Sequence, residues 1–141
     1  MVAAFAILLV VHGLIHLIGF AKAFGLAELP QLTQPVSIAA GIGWLLAATL
    51  FIAAGVAVFA WPRGWWMLAG SAAILSMTLI VPAWVDAKAG AFVNAIVLTG
   101  AVFGFLSQGP FSLRAAYERD VRAALAPPAP AEIVRDADLA H

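Results

Sequence analysis

His12 and His16 are the residues of this chain whose type and spacing invite chemistry. Four apart on a helix, they project from one face. Two imidazoles so placed can bite one metal ion, with Asp86 as a third ligand. They cannot lie on opposite faces of one haem, so bis-histidine haem ligation within this helix is excluded. Two other arrangements are open to the pair. One is a hydrogen-bonded cluster, in which one ring meets Asp86 or Asn94 and the other a backbone carbonyl or an interface. The other is a proton-relay or substrate site. A dedicated metal centre would need more histidines, and only His141 remains, in the tail. Lys22, Asp86, Lys88 and Asn94 complete the candidate polar set, and Asp86 with Lys88 can form an interfacial ion pair. No cofactor is expected.

The elements that must position these residues are written in the composition. Of 141 residues, 65% are hydrophobic and only 10% charged. A soluble domain carries roughly 45–50% apolar and about 25% charged residues. Most of this chain must therefore be solvated by lipid, so the expected main partner is the bilayer. A net charge of 0 gives a nucleic-acid groove no electrostatic footing. The absence of cysteine excludes disulfides and thiolate metal sites. Nucleotide-binding glycine loops and a nucleophile elbow are likewise missing.

Four apolar runs stand out, at about 2–20, 36–61, 65–84 and 91–107, and the short fourth has room to start as far back as Asp86 or Lys88. Nothing basic precedes the first, so it reads as a retained span rather than a secretory signal. In hydrocarbon each backbone N–H and C=O must be paired within its own segment, which forces helices. Short connections make successive helices antiparallel neighbours. The expected fold is all-α: an integral membrane up-down four-helix bundle over 1–110, a short juxtamembrane amphipathic helix over 111–126 and a Pro/Ala-rich linker and polar tail over 127–141. Pro82 predicts a kink in the third span. The glycines of Gly100-x-x-x-Gly104, with Gly41 and Gly43, permit close helix approach within the chain or self-association into a homo-oligomer. Serines and threonines inside the spans, Ser76 among them, are expected to bond back to their own helix.

An even number of spans puts Arg63, Arg114, Arg119 and Arg122 on one side and Lys22 and Lys88 on the other, so both termini are expected in the cytoplasm. The antiparallel order also collects His12, His16, Lys22, Asp86, Lys88 and Asn94 toward the opposite, external side. In the tail, Leu113, Tyr117, Val121 and Leu125 recur every four residues, with charges between them. The stretch after Ala126 suits a semi-rigid linker.

Two stretches carry a resemblance. His12-Gly-Leu-Ile-His-Leu-Ile-Gly-Phe-Ala-Lys22-Ala-Phe-Gly25 with Gln31-Leu-Thr-Gln-Pro35, and Trp84-Val-Asp-Ala-Lys88-Ala-Gly90 with Asn94, resemble a family of bacterial membrane proteins without an established activity. In that family a four-helix N-terminal membrane domain precedes a soluble C-terminal domain. Gln108–Arg114, Tyr117 and Asp136–His141 look like the lead into that second domain. The resemblance implies architecture rather than chemistry, in the bacterial inner membrane. The first helix also faintly resembles the DoxX-like group, which implies links to quinone and thiol redox. Three functions fit these features. The first is a non-enzymatic membrane anchor or coupling domain for a cytoplasmic partner engaged through the tail. The others are a small transporter or proton-linked permease using the His/Asp/Asn cluster, and a DoxX-like membrane redox component.

Overall fold

A computed structural model describes residues 1–30 and 32–126, and the described residues form five helices with no strand. These are α1 (Val2–Ala23), α2 (Ile38–Ala60), α3 (Trp65–Ile80), α4 (Trp84–Gln108) and α5 (Leu113–Ala124). The tail beyond residue 126, His141 and the linker included, lies outside the described residues, as does Gln31.

Local chemistry explains where each helix stops. Gly25 follows α1 in a left-handed conformation, φ +63°, which carries no Cβ penalty in glycine. It turns the chain so that the N–H groups of Gly25 and Leu26 reach the carbonyls of Lys22 and Ala21. Ser37 starts α2, its hydroxyl accepting the Ala40 N–H at 3.1 Å. Pro62 lies in the turn from α2 into α3. Pro82 ends α3 rather than kinking it: Val81 still donates to Met77, but proline has no N–H to continue the ladder. Trp84 therefore opens α4 instead of closing the third apolar run. α4 in turn begins well before the hydrocarbon-like stretch at Ala91, because Asp86 and Lys88 interrupt hydropathy and not helicity.

α1, α2 and α4 are each long and apolar enough to cross a membrane, by length and composition, while α3 is a shorter apolar helix of 16 residues. The four lie antiparallel in succession, as close approaches at glycine show. Gly55 faces Ala6 and Val10, Gly13 faces Ala48 and Phe51, and Gly19 faces Trp44, so α1 and α2 run in opposite senses. Gly43 meets Leu79 between α2 and α3, and Gly104 meets Trp65 and Trp66 between α3 and α4. Gly100 abuts the Phe5 ring, which brings α4 back beside α1. Both glycines of Gly100-x-x-x-Gly104 are thus occupied by side chains of the same chain.

Where α3 begins and α4 ends, the core is Leu9, Phe51, Ala54, Ala69, Ala72, Ala73 and Val97, all shielded from solvent. The outward faces are also apolar, with Ile7, Val11 and Leu14 on α1, Val56 and Phe59 on α2, and Phe92, Phe103 and Leu106 on α4 all exposed. α5 is different. Ser112 caps it, accepting the Ala115 N–H at 3.2 Å, and none of its residues is buried. Glu118 ties it to the α2–α3 turn, lying 3.1 Å from Arg114 and 3.5 Å from Arg63. The hydrogen bond from Arg114, then the charge of Arg63, hold the Glu118 carboxyl below its ordinary range.

A methyl at Gly13 would stand 2.9 Å from the Ala48 carbonyl oxygen, a backbone atom that cannot step aside. Gly13→Ala is expected to destabilise the fold by about 1–3 kcal/mol through overpacking. At Gly70 the nearest atom is 3.8 Å away, so Gly70→Ala should be neutral or stabilise by up to about 1 kcal/mol through helix propensity. Denaturant titration of both variants in detergent checks the contrast.

Candidate functional site

The polar residues inside this apolar assembly meet at one place. His12 and His16 of α1, Ser76 of α3 and Asn94 of α4 are each at most 3% exposed. The His12 Nε2 atom lies 3.1 Å from Asn94 Oδ1, and Asn94 Nδ2 donates to Ser76 Oγ at 2.8 Å. Ser76 Oγ lies 2.7 Å from His16 Nε2, and His16 Nδ1 lies 2.8 Å from the His12 backbone oxygen. Among the described residues no buried side-chain nitrogen or oxygen is left sealed without a partner.

The contacts determine every hydrogen. A carbonyl only accepts, so His16 Nδ1 carries the proton it gives to His12 O. No carboxylate reaches the cluster to hold an imidazolium, so the ring is neutral and Nε2 is a bare acceptor. The Ser76 hydroxyl must then donate to it, and its oxygen accepts from the Asn94 amide. That fixes the amide with Oδ1 toward His12, whose Nε2 must be the protonated nitrogen. All four bonds run in one direction, from His12 through Asn94 and Ser76 to His16 and back to the His12 carbonyl.

α2 supplies the surround without supplying polarity. Phe51 lies edge-on to His12 with ring centroids 4.7 Å apart, and Trp44 stands in the same way 5.1 Å from His16. The two imidazoles are themselves edge-to-face at 4.5 Å. They do not converge on a shared point with Asp86. Among the described residues no three His, Cys, Asp or Glu side chains group as a metal site would.

Asp86, Lys22 and Lys88 belong to a separate layer nearer the Lys22 end. Asp86 accepts from the Thr33 hydroxyl at 2.9 Å and the Gln34 backbone N–H at 2.9 Å, clasping the α1–α2 loop to the start of α4. Lys22 donates to the Leu32 carbonyl in the same loop. The expected Asp86–Lys88 ion pair does not form, because residues two apart on a helix face different ways. Lys88 is exposed.

Between this clasp and the buried cluster lies a cavity of about 250 Å³. Leu32 and Gln34 line it from the loop, Gly19 and Trp44 from the side, and His12 and His16 at its inner end. Ser76 is the site residue that sequence reading assigned otherwise. It was expected to bond to its own helix, as Thr49, Thr78 and Thr99 do. Its helical register, and not its type, turns it inward.

Because the four side chains complete one another, removing one strands its neighbours. Ser76→Ala and Asn94→Ala should each destabilise the fold by about 1–3 kcal/mol, and the double variant by clearly less than their sum. A double-mutant cycle on detergent unfolding measures the coupling. Asp86→Ala should leave global stability nearly unchanged but expose the loop over 26–34 to protease, read as faster nicking there.

No protein-family model, no curated protein and no solved structure matches this chain.

Proposed function

We propose that the chain is a multi-pass domain of the bacterial cytoplasmic membrane, a bundle of four spans that anchors or couples a cytoplasmic partner through its C-terminal segment. The observation that carries this reading is the inverted polarity of the helices. Their exposed faces are Ile, Val, Leu and Phe, while histidine, serine and asparagine are buried and hydrogen-bonded to one another. Such polar groups are retained at membrane depth where they join helices that lipid would otherwise solvate equally well. The cluster then serves as an internal clamp.

The coupling role rests on α5. It is held beside the α2–α3 turn by Glu118, yet Leu113, Tyr117 and Leu125 stay largely exposed on it. A helix with charges on one side and an unpartnered apolar row on the other suits a membrane surface or a partner. The resemblance noted from sequence supplies the direction, since in that family a soluble domain follows. The arginines gathered at this end, Arg63, Arg114, Arg119 and Arg122, favour its placement in the cytoplasm.

The permease reading draws on the cavity that reaches His12 and His16. Two features weigh against a proton path. Asn94, an amide that neither gains nor loses a proton as an acid or base in the neutral range, sits in the middle of the chain of bonds. Beyond the cluster the interior among the described residues is Leu9, Phe51, Ala54 and Val97, side chains that pass no proton on. The redox reading draws on the histidine pair alone.

The cysteine-free sequence allows single-cysteine mapping without background. In cells making the protein, Glu28→Cys should react with a membrane-impermeant maleimide, and Val121→Cys only after permeabilisation. The opposite pattern would overturn the orientation. A photo-crosslinker at Tyr117 or Leu125 should give one discrete protein adduct that the same group at Ile7 does not. Lipid adducts alone at all three positions would refute the coupling role.

A further inference from the structure

The directed hydrogen bonds leave one atom unused. With Nε2–H committed to Asn94, His12 must present a bare Nδ1, a hydrogen-bond acceptor. Among the described residues that atom has no partner, and it is not among atoms sealed from a water-sized probe, although the residue as a whole is 3% exposed. His12 lines the cavity. An otherwise self-contained network therefore offers a single lone pair to an open space.

The space has its own chemistry. Its walls beside His12 include Ile15, Ile18, Gly19, Ile80, Ala87 and Gly90, with Gln34 and Asp86 toward the loop, so the body of an occupant meets mostly hydrocarbon. At about 250 Å³ it exceeds the roughly 150 Å³ of an apolar cavity that takes up benzene. Ile15 and Ile18, on the α1 wall, are 53% and 43% exposed, so the cavity also borders the outward, lipid-like face of the helices. A water held at Nδ1 would find few further polar partners on these walls, whereas a buried water typically makes about three.

We infer that this cavity is a binding site for a small, lipid-soluble molecule, apolar over most of its surface and carrying one O–H donor, which it places on His12 Nδ1. An alcohol or phenol of one or two rings meets the description. A carboxylate or phosphate does not, because nothing at the inner end of the cavity donates a hydrogen bond to it. This site is independent of the coupling role, and either can fail without the other.

The probe is 2-naphthol, compared with 2-methoxynaphthalene, which keeps the ring system and lacks the donor. Equilibrium dialysis of the full chain in micelles, against empty micelles, should give one saturable site for 2-naphthol. The methyl ether should bind about tenfold more weakly, the worth of one hydrogen bond. Ala87→Phe places a ring in the cavity from the start of α4 while keeping His12, His16, Ser76 and Asn94 unsubstituted, and should abolish saturable binding. His12→Phe should remove the preference for the naphthol. Should that variant fail to fold, ring-¹⁵N spectra of the unsubstituted protein decide. His12 Nδ1 should move upfield with 2-naphthol and stay in place with the ether. Uptake no greater than by empty micelles, equal affinity for both compounds, unchanged binding in Ala87→Phe, or an unmoved Nδ1 signal would each overturn the inference.

Discussion

Four buried side chains and one backbone carbonyl share a set of hydrogen bonds that can be drawn in only one way, and the interior is arranged around that fact. An unmade hydrogen bond in an apolar surround carries a desolvation penalty of about 1–3 kcal/mol, so the set is held as a whole rather than bond by bond. Its members come from α1, α3 and α4, with the rings of Phe51 and Trp44 from α2 packed against them. Rotating or sliding α1, α3 or α4 by one residue would strand a donor or an acceptor. Apolar side chains alone would tolerate several registers.

The remaining cohesion is a matter of closeness. Ala47, Ala54, Ala69, Ala72 and Ala73 are fully buried, and glycines on α1, α2 and α4 admit a carbonyl or ring where a side chain would stand. Small residues bring backbones together and gain dispersion contact over long stretches. The same economy leaves the cavity. At the start of α4, Ala83, Ala87 and Gly90 project too little to fill the space opposite Ile15 and Gly19 of α1. Close backbone approach between helices and open space at the start of α4 follow from one compositional habit.

Much of this was legible in the sequence and some was not. The lengths of α1 and α2 and the helical character of the apolar runs follow from hydropathy along the sequence. The third and fourth segments were displaced. Hydropathy does not distinguish an apolar turn at Val81–Ala83 from apolar helix, and it truncates a helix that begins with Asp86 and Lys88 in its first turns. The same limit governs the site. Spacing put His12 and His16 on one face, and the antiparallel order brought them toward Asn94. Only the azimuth of α3 shows that Ser76 joins them while Thr78, two residues on, bonds to its own helix. Asp86 was grouped with the histidines by its end of the chain path, yet its loop supplies nearer donors.

The shortest apolar helix has a consequence for its surroundings. At 1.5 Å per residue the 16 residues of α3 rise about 24 Å, some 6 Å less than a hydrocarbon slab of about 30 Å. α1, α2 and α4, with 22, 23 and 25 residues, rise about 33–38 Å and exceed that thickness. In a bilayer the molecule would meet lipid tails with unequal heights around its perimeter, the acyl chains beside α3 shortening or tilting to keep headgroups level with Trp65 and the Pro82 turn. Hydrophobic mismatch of this kind amounts to fractions of a kcal/mol per Å, enough to give the protein's rim a preferred side.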